Sequence, residues 1–222
     1  MTQLITWDGV GEKIYETGID HGVLYPQLPD GSYPKGVAWN GLVSVTESPT
    51  GAEPNPQFAD NIKYLNLLSA EEFNGTIEAF TYPDEFAACN GELEAEVGVV
   101  VGQQARTPFG LVYRTIKGND SAGQAYGYKL HLIYGALVSP SEKAYQTINE
   151  SPEAITFSWE FTTTPAPVTG FKPTASVVID SITDDPENLA ALEVILFGAT
   201  GTPNVEGRLP LPDEVMTIMG AA

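Results

Sequence analysis

Basic residues, histidine and cysteine are all scarce in this chain of 222 residues. Ten lysines and arginines stand against 29 acidic residues, a formal net charge of −19. Binding to a nucleic-acid backbone needs cationic patches that displace counterions from phosphates, and this composition excludes it. The single cysteine, Cys89, excludes an internal disulfide framework and fits a reducing compartment. Two histidines, His21 and His131, far apart along the chain, leave too few nitrogen and sulfur ligands for a structural zinc site. No apolar run approaches the roughly 20 residues that a membrane span requires. The opening segment, MTQLITWDGVGEKIYETG, has neither a basic cluster nor an apolar stretch, so no secretory signal is expected.

Catalytic patterns are equally thin. No G-x-S-x-G elbow marks a nucleophile, and no P-loop or G-x-G-x-x-G follows a strand. Adjacent acids (Glu71-Glu72, Asp84-Glu85, Asp184-Asp185) are what 29 carboxylates produce by chance. Two of those pairs also suit helix starts, where the macrodipole favours negative charge. No acidic loop has EF-hand spacing. The chain is expected to be no enzyme and to carry no cofactor or metal.

What is abundant is strand-like alternation. Tyr128, Leu130, Leu132 and Tyr134 fall on one face of a strand, with Lys129, His131 and Ile133 on the other. Ile155, Phe157, Trp159 and Phe161 point one way, while Thr156, Ser158 and Glu160 point the other. Period-two patterning of this kind marks half-buried antiparallel strands. Further strands are expected at Lys13–Ile19, Val23–Tyr25, Val37–Val45 (Val37, Trp39, Val43 and Val45 on one side), Ile62–Leu68, Glu72–Tyr82, Glu92–Val101 and Ala175–Asp180. Asn74-Gly75 offers either a type I′ hairpin turn or a bulge. The glycosylation-like triplets at Asn74, Asn119 and Asn149 read as turn chemistry.

Two helices stand out. Pro83–Cys89 reads as a short one, stopped at Asn90-Gly91, with Phe86 and Cys89 in the core. Asp184–Phe197 is the strongest, with Asp185 as N-cap, Pro186 in the first turn, Leu189, Leu192 and Leu196 as a stripe, and Gly198 at its end. A further short helix is expected from Pro212. Between strands, Thr46–Asp60 (TESPTGAEPNPQFAD) reads as a long loop with Phe58 as its one large apolar residue. A loop of that length inside a compact domain is usually functional or disordered. Glu92, Glu94 and Glu96 share a strand face, and three like charges in a row must face water, either outside a particle or within a lumen.

These elements add up to a mainly β protein, an antiparallel sandwich or small barrel with one or two flanking helices. Residues 1–35 form an N-terminal arm with the first strands, residues 36–165 the core, and residues 166–222 a C-terminal strand, helix and tail packed on the core or on a neighbour.

The wording of three segments, NIKYLNLLSAEEFNGTIEAFTYPDEFAACNG, YGYKLHLIYGALVSPSEKAY and INESPEAITFSWEFTTTP, resembles the major tail protein of long-tailed, non-contractile bacteriophages. The resemblance implies a tail tube fold, with subunits in rings of six that stack into a hollow cylinder around a continuous inner β-barrel. It implies a virion protein assembled in the host cytoplasm. Implied partners are other copies of itself, a tape measure protein, a tail-tip or baseplate complex and a tail terminator, with no membrane insertion. The 46–60 loop, with Glu47, Glu53, Phe58 and Asp60, is then expected to reach the adjacent ring. Glu92, Glu94 and Glu96 are expected to line a lumen that DNA crosses without sticking. Screening confines such repulsion to about 8 Å from the wall at physiological salt.

A rival reading is a monomeric sandwich that binds carbohydrate or protein on a virion or cell surface, with Trp7, Trp39 and Trp159 as a stacking platform. Trp39 and Trp159, however, sit at inward-looking positions. A second rival is the tube subunit of a contractile tail or secretion machine.

Overall fold

A computed structural model describes residues 5–148, 153–201 and 204–220. The chain is mainly β, and its described residues form one large antiparallel sheet, smaller two-stranded sheets and three helices. Strands β1 (Ile14–Pro26), β2 (Val37–Ala38) and β3 (Leu42–Glu47) come first. The next group, β4 (Thr50–Gly51), β5 (Pro54–Ala59), β6 (Ile62–Leu68) and β7 (Glu71–Glu72), stands apart from the main sheet, and β8 (Asn74–Ala79) returns to it. Helix α1 (Phe86–Cys89) precedes a small hairpin of β9 (Leu93–Glu96) and β10 (Val99–Val101). Then follow β11 (Phe109–Asn119), β12 (Gly123–Val138), β13 (Phe157–Thr163), β14 (Ser176–Asp180), α2 (Pro186–Phe197) and α3 (Pro212–Ile218).

The main sheet runs β2-β1-β11-β12-β13-β8-β3, and β14 also pairs with β12. Its two ends approach each other, because β3 lies beside β1, with Leu42 of β3 packed over Gly22 of β1. The curled sheet therefore has an inner and an outer face. Inside lie Leu24, Trp39, Ile77, Leu111, Ile133, Trp159 and Phe161. Helix α1 plugs this core: the Phe86 ring packs 4.6 Å from Trp39, 5.1 Å from Trp159 and 5.7 Å from Phe109. Outside, Leu130, Leu132, Tyr134 and Ile179 pack under Leu189, Leu192 and Leu196 of α2 and Val215 of α3. Strands β11 and β12 are thus covered on both faces.

The alternation along β12 holds up to Tyr134 and then inverts, since Ala136 and Val138 face the inner core. The inversion is a bulge at Gly135, with φ +60, and a Cβ there would lie 2.3 Å from the Thr164 carbonyl oxygen. Gly is the residue that adopts this backbone without strain. Val43 corrects the expected pattern for the same reason. Register slips between Leu42 and Ser44, so Leu42 and Val45 pack inward while Val43 is exposed.

The two short strands expected near the N-terminus are one strand, β1, broken by register shifts at Gly18 and at His21-Gly22. It lies between β2 and β11, within the sheet. Asn74-Gly75 makes neither a hairpin turn nor a bulge. Both residues pair in β8, where a Cβ on Gly75 would meet the Phe161 ring and the Thr46 carbonyl at 2.6 Å. Asn119 does serve a turn, accepting from the amides of Ser121 and Ala122; Asn149 lies outside the described residues. Helix α2 begins with the Asp185 carboxylate accepting from the Glu187 amide at 2.9 Å. Among the described residues, no helix is long and apolar enough to cross a membrane.

Candidate interaction surface

The expected 46–60 loop is not irregular. It is the outgoing half of a projecting hairpin arm, in which β4 pairs with β7 and β5 with β6. Its tip is Asp60-Asn61, with φ of 51° and 60°, the paired left-handed conformation of a type I′ turn. Phe58 is 70% exposed, so it is no anchor within its own subunit. Ile62, Tyr64, Leu65, Leu67 and Leu68 on the return strand are exposed as well. The register sets Ala59 opposite Ile62, Gln57 opposite Leu65 and Asn55 opposite Leu67, so Ile62, Leu65 and Leu67 share one face. Reading the sequence found β6 as a strand but missed that its apolar side chains are bare. The signal was the Asp60-Asn61 pair, which is turn chemistry flanked by two strand-length runs.

Glu47 does not project with the arm. It ends β3, where its carboxylate accepts from the Tyr113 hydroxyl at 2.5 Å and lies 3.3 Å from His131 Nδ1. The His131 ring stacks on Tyr113 at 4.7 Å, and its Nε2 is 3.0 Å from Thr115 Oγ1. The His131 and Tyr113 contacts hold the Glu47 carboxyl below its ordinary value against the opposing effect of burial. Burial, reinforced by Glu47, pushes the Tyr113 phenol up. Together with Ile19 and Val45 these groups line a cleft of about 360 Å³ between β1 and β3. The cluster holds the root of the arm, with Asn74 Nδ2 donating to Thr50 Oγ1 at 2.9 Å beside it. Glu53 lies further out, where its backbone amide and carbonyl bond to Ser69.

Glu92, Glu94 and Glu96 do not form one row. The expected single strand folds back at Val97-Gly98 into the β9–β10 hairpin. Glu92 precedes it, half-buried, paired with Lys143 at 2.6 Å and accepting from Asn90 Nδ2 at 3.0 Å. Glu94 and Glu96 are exposed, and Glu94 accepts from the Gly98 amide at 2.9 Å. Leu93, Val99, Val100 and Val101 are also exposed, and Val97 at the tip is 98% exposed.

Charge is spent unevenly. Arg114, Lys117, Lys129, Lys143 and Arg208 pair with Asp20, Asp180, Glu16, Glu92 and Glu214 respectively. Among the described residues, most carboxylates therefore have no lysine or arginine partner. Trp39 and Trp159 are buried and form no external platform, whereas Trp7 is exposed. Cys89 is buried, and desolvation pushes its thiol up to about 12. Among the described residues, no group of His, Cys, Asp and Glu has the arrangement of a metal site. Compared with known proteins, the chain matches no family model and no curated protein.

Proposed function

We propose that this chain is the structural subunit of a bacteriophage tail tube, assembling into stacked hexameric rings whose acidic bore conducts DNA. The reading starts from the sequence resemblance and is supported most by one quantity. The chain exposes 14264 Å². A compact monomer of its 23.8 kDa exposes about 9,900 Å². The excess, about 4,400 Å², falls in the range that obligate assemblies bury. Two projecting hairpins with bare apolar side chains contribute to it, beside the exposed segments before β1 and after β12, and bare apolar surface of this kind is unfavourable in water and marks contact sites. A monomeric binding module has no use for it.

Within a tube, the carboxylate surplus has two consequences. Free subunits repel one another, which delays assembly until a tail-tip complex nucleates it. In the finished cylinder, uncompensated carboxylates keep DNA phosphates from adhering. Cyclic closure satisfies lateral edges, whereas head-to-tail stacking stays open and extends until an external ruler stops it.

The test is negative-stain electron microscopy of concentrated protein beside light-scattering mass, with and without tail-tip complex as seed. Hollow tubes or six-fold rings are the expected result. A chain that stays monomeric when seeded overturns the reading and favours the binding module.

A further inference from the structure

We propose that Asn40 is a site of self-modification, where the amide of Gly41 converts the asparagine into aspartate and isoaspartate. Three asparagines precede a glycine, namely Asn40, Asn74 and Asn90, and the fold directs the chemistry to the first. An Asn-Gly step is reactive because glycine has no Cβ to hinder its amide nitrogen from approaching the preceding carboxamide. That nitrogen, on losing its proton to water or hydroxide, bonds to Cγ of Asn40. The Cγ–Nδ2 bond breaks and ammonia leaves. Water then opens the cyclic imide at either carbonyl, giving aspartate or isoaspartate. In sum, asparagine and water become aspartate or isoaspartate and ammonia, with no change of oxidation state.

Asn40 and Gly41 form the exposed turn between β2 and β3. Among the described residues, neither the Asn40 carboxamide nor the Gly41 amide makes a hydrogen bond, so both reacting groups are free. The Gly41 carbonyl accepts from the Phe80 amide at 2.8 Å, a bond that holds the turn without engaging either group. Asn74 is placed differently. Gly75 is buried within β8, opposite Phe161 of β13 and Glu47 of β3, and Asn74 Nδ2 donates to Thr50 Oγ1 at 2.9 Å. Asn90 is 8% exposed, and its Nδ2 donates to Glu92 at 3.0 Å. The Gly91 amide donates to the Ala88 carbonyl at 3.4 Å. Ring closure at Asn74 or Asn90 therefore requires a strand or a helix end to open first, and proceeds only from that rare open state. The product matters to its surroundings. Asn40 lines a cleft of about 420 Å³ with His21, Trp39 and Phe197, so a carboxylate joins that lining in a chain already at −19. Isoaspartate also adds a carbon to the main chain two residues before Leu42, whose pairing with Ala79 begins the β3 register.

The experiment holds the full-length protein in mildly alkaline buffer made with heavy-oxygen water, with and without urea, and maps its peptides by mass spectrometry at intervals. Exchange of an amide for an acid that carries one heavy oxygen marks the product. In the folded chain, the peptide holding Asn40 is expected to convert at least about tenfold faster than those holding Asn74 and Asn90. In urea the three rates are expected to converge to within about threefold, because the fold no longer separates them. Ion-exchange chromatography reads the same event through charge. The wild-type chain should develop a more acidic species with time, and Asn40→Gln, which lengthens the side chain and disfavours the ring, should not. Circular dichroism checks that this variant folds. Equal conversion of the three asparagines in the folded chain overturns the inference. So does an Asn40 preference that persists undiminished in urea, or an acidic species that grows at the wild-type rate in folded Asn40→Gln. The tube reading is unaffected by any of these outcomes, since no second copy takes part in the chemistry.

Discussion

The hydroxyl of Tyr113 on β11 donates to the Glu47 carboxylate at the end of β3, 2.5 Å away, and so ties the root of the projecting arm to the floor of the curled sheet. Tyr113 is 2% exposed, and its ring is held from the other side by His131. Tyr113→Phe keeps the packing and removes the donor. The expected cost is about 1.5–3 kcal/mol, the range for a hydrogen bond to a charged group. Hydrogen exchange should quicken in residues 48–73 and stay unchanged in α2. Unaltered exchange in the arm would mean that its position does not depend on this bond.

The bulge at Gly135 supports a second prediction, with its own control. Gly135 and Gly123 both have positive φ, +60 and +58. A Cβ at 135 collides with the Thr164 backbone, whereas at 123 nothing lies within 4 Å. Gly123→Ala should therefore cost only the backbone strain, about 1 kcal/mol. Gly135→Ala should cost several times more, or abolish soluble expression, because β12 and β13 must separate. Urea midpoints of the two variants measure the difference. Equal midpoints would show that the bulge relaxes freely.

How far the sequence reveals this molecule depends on how local each cause is. Helix α2 is legible because its cap, first-turn proline and leucine stripe lie within 14 residues of one another. Trp159 and Phe161 are legible because strand alternation fixes their side. The bulges at Val43 and Gly135 are not, since a one-residue slip leaves no trace in composition and yet inverts every side chain beyond it. Nor is the fate of a carboxylate whose partner is distant: Glu47 meets Tyr113 66 residues away, and Glu92 meets Lys143 51 residues away. The arm shows a third limit. Its strands are readable, but period alone does not say whether a face is covered by the same chain or left bare.

Phe86 offers a core prediction. It sits on a single turn of helix among Trp39, Trp159, Phe109 and Tyr82, fully buried. Phe86→Ala should lower stability by about 3–5 kcal/mol, through lost burial and the cavity left among rings too large to collapse into it. Phe86→Leu should recover a large part of that. Denaturant unfolding, read by the fluorescence of the buried tryptophans, gives both values. A loss below about 1 kcal/mol for the alanine variant would show that α1 is not part of the cooperative core.

Phe58 predicts the opposite combination. Because the ring touches solvent and not the subunit's core, Phe58→Ala should leave the monomer's unfolding midpoint within about 0.5 kcal/mol of wild type. Assembly, read by light scattering, should weaken. A variant that destabilises the monomer instead would mean that the arm folds back on its own subunit in solution.

Acid should weaken the fold through Asp20. Its carboxylate takes two hydrogen bonds from Arg114 at 2.7 Å, which hold its pKa below the ordinary 3.8 against the smaller opposing effect of burial. The charged form is therefore favoured more in the folded chain than in the unfolded one. By linkage, the stabilisation is complete well above pH 3.8 and fades as the pH falls through 3.8 and then through the lower folded value. Asp20→Asn removes the charge at every pH. The stability gap between wild type and variant should be widest near neutrality and close as pH drops from about 5 to about 2. Comparing the two chains cancels the easing of self-repulsion as the other carboxylates are protonated, since both share it. A gap that stays constant with pH would show that Asp20 acts through its shape and hydrogen bonds rather than its charge.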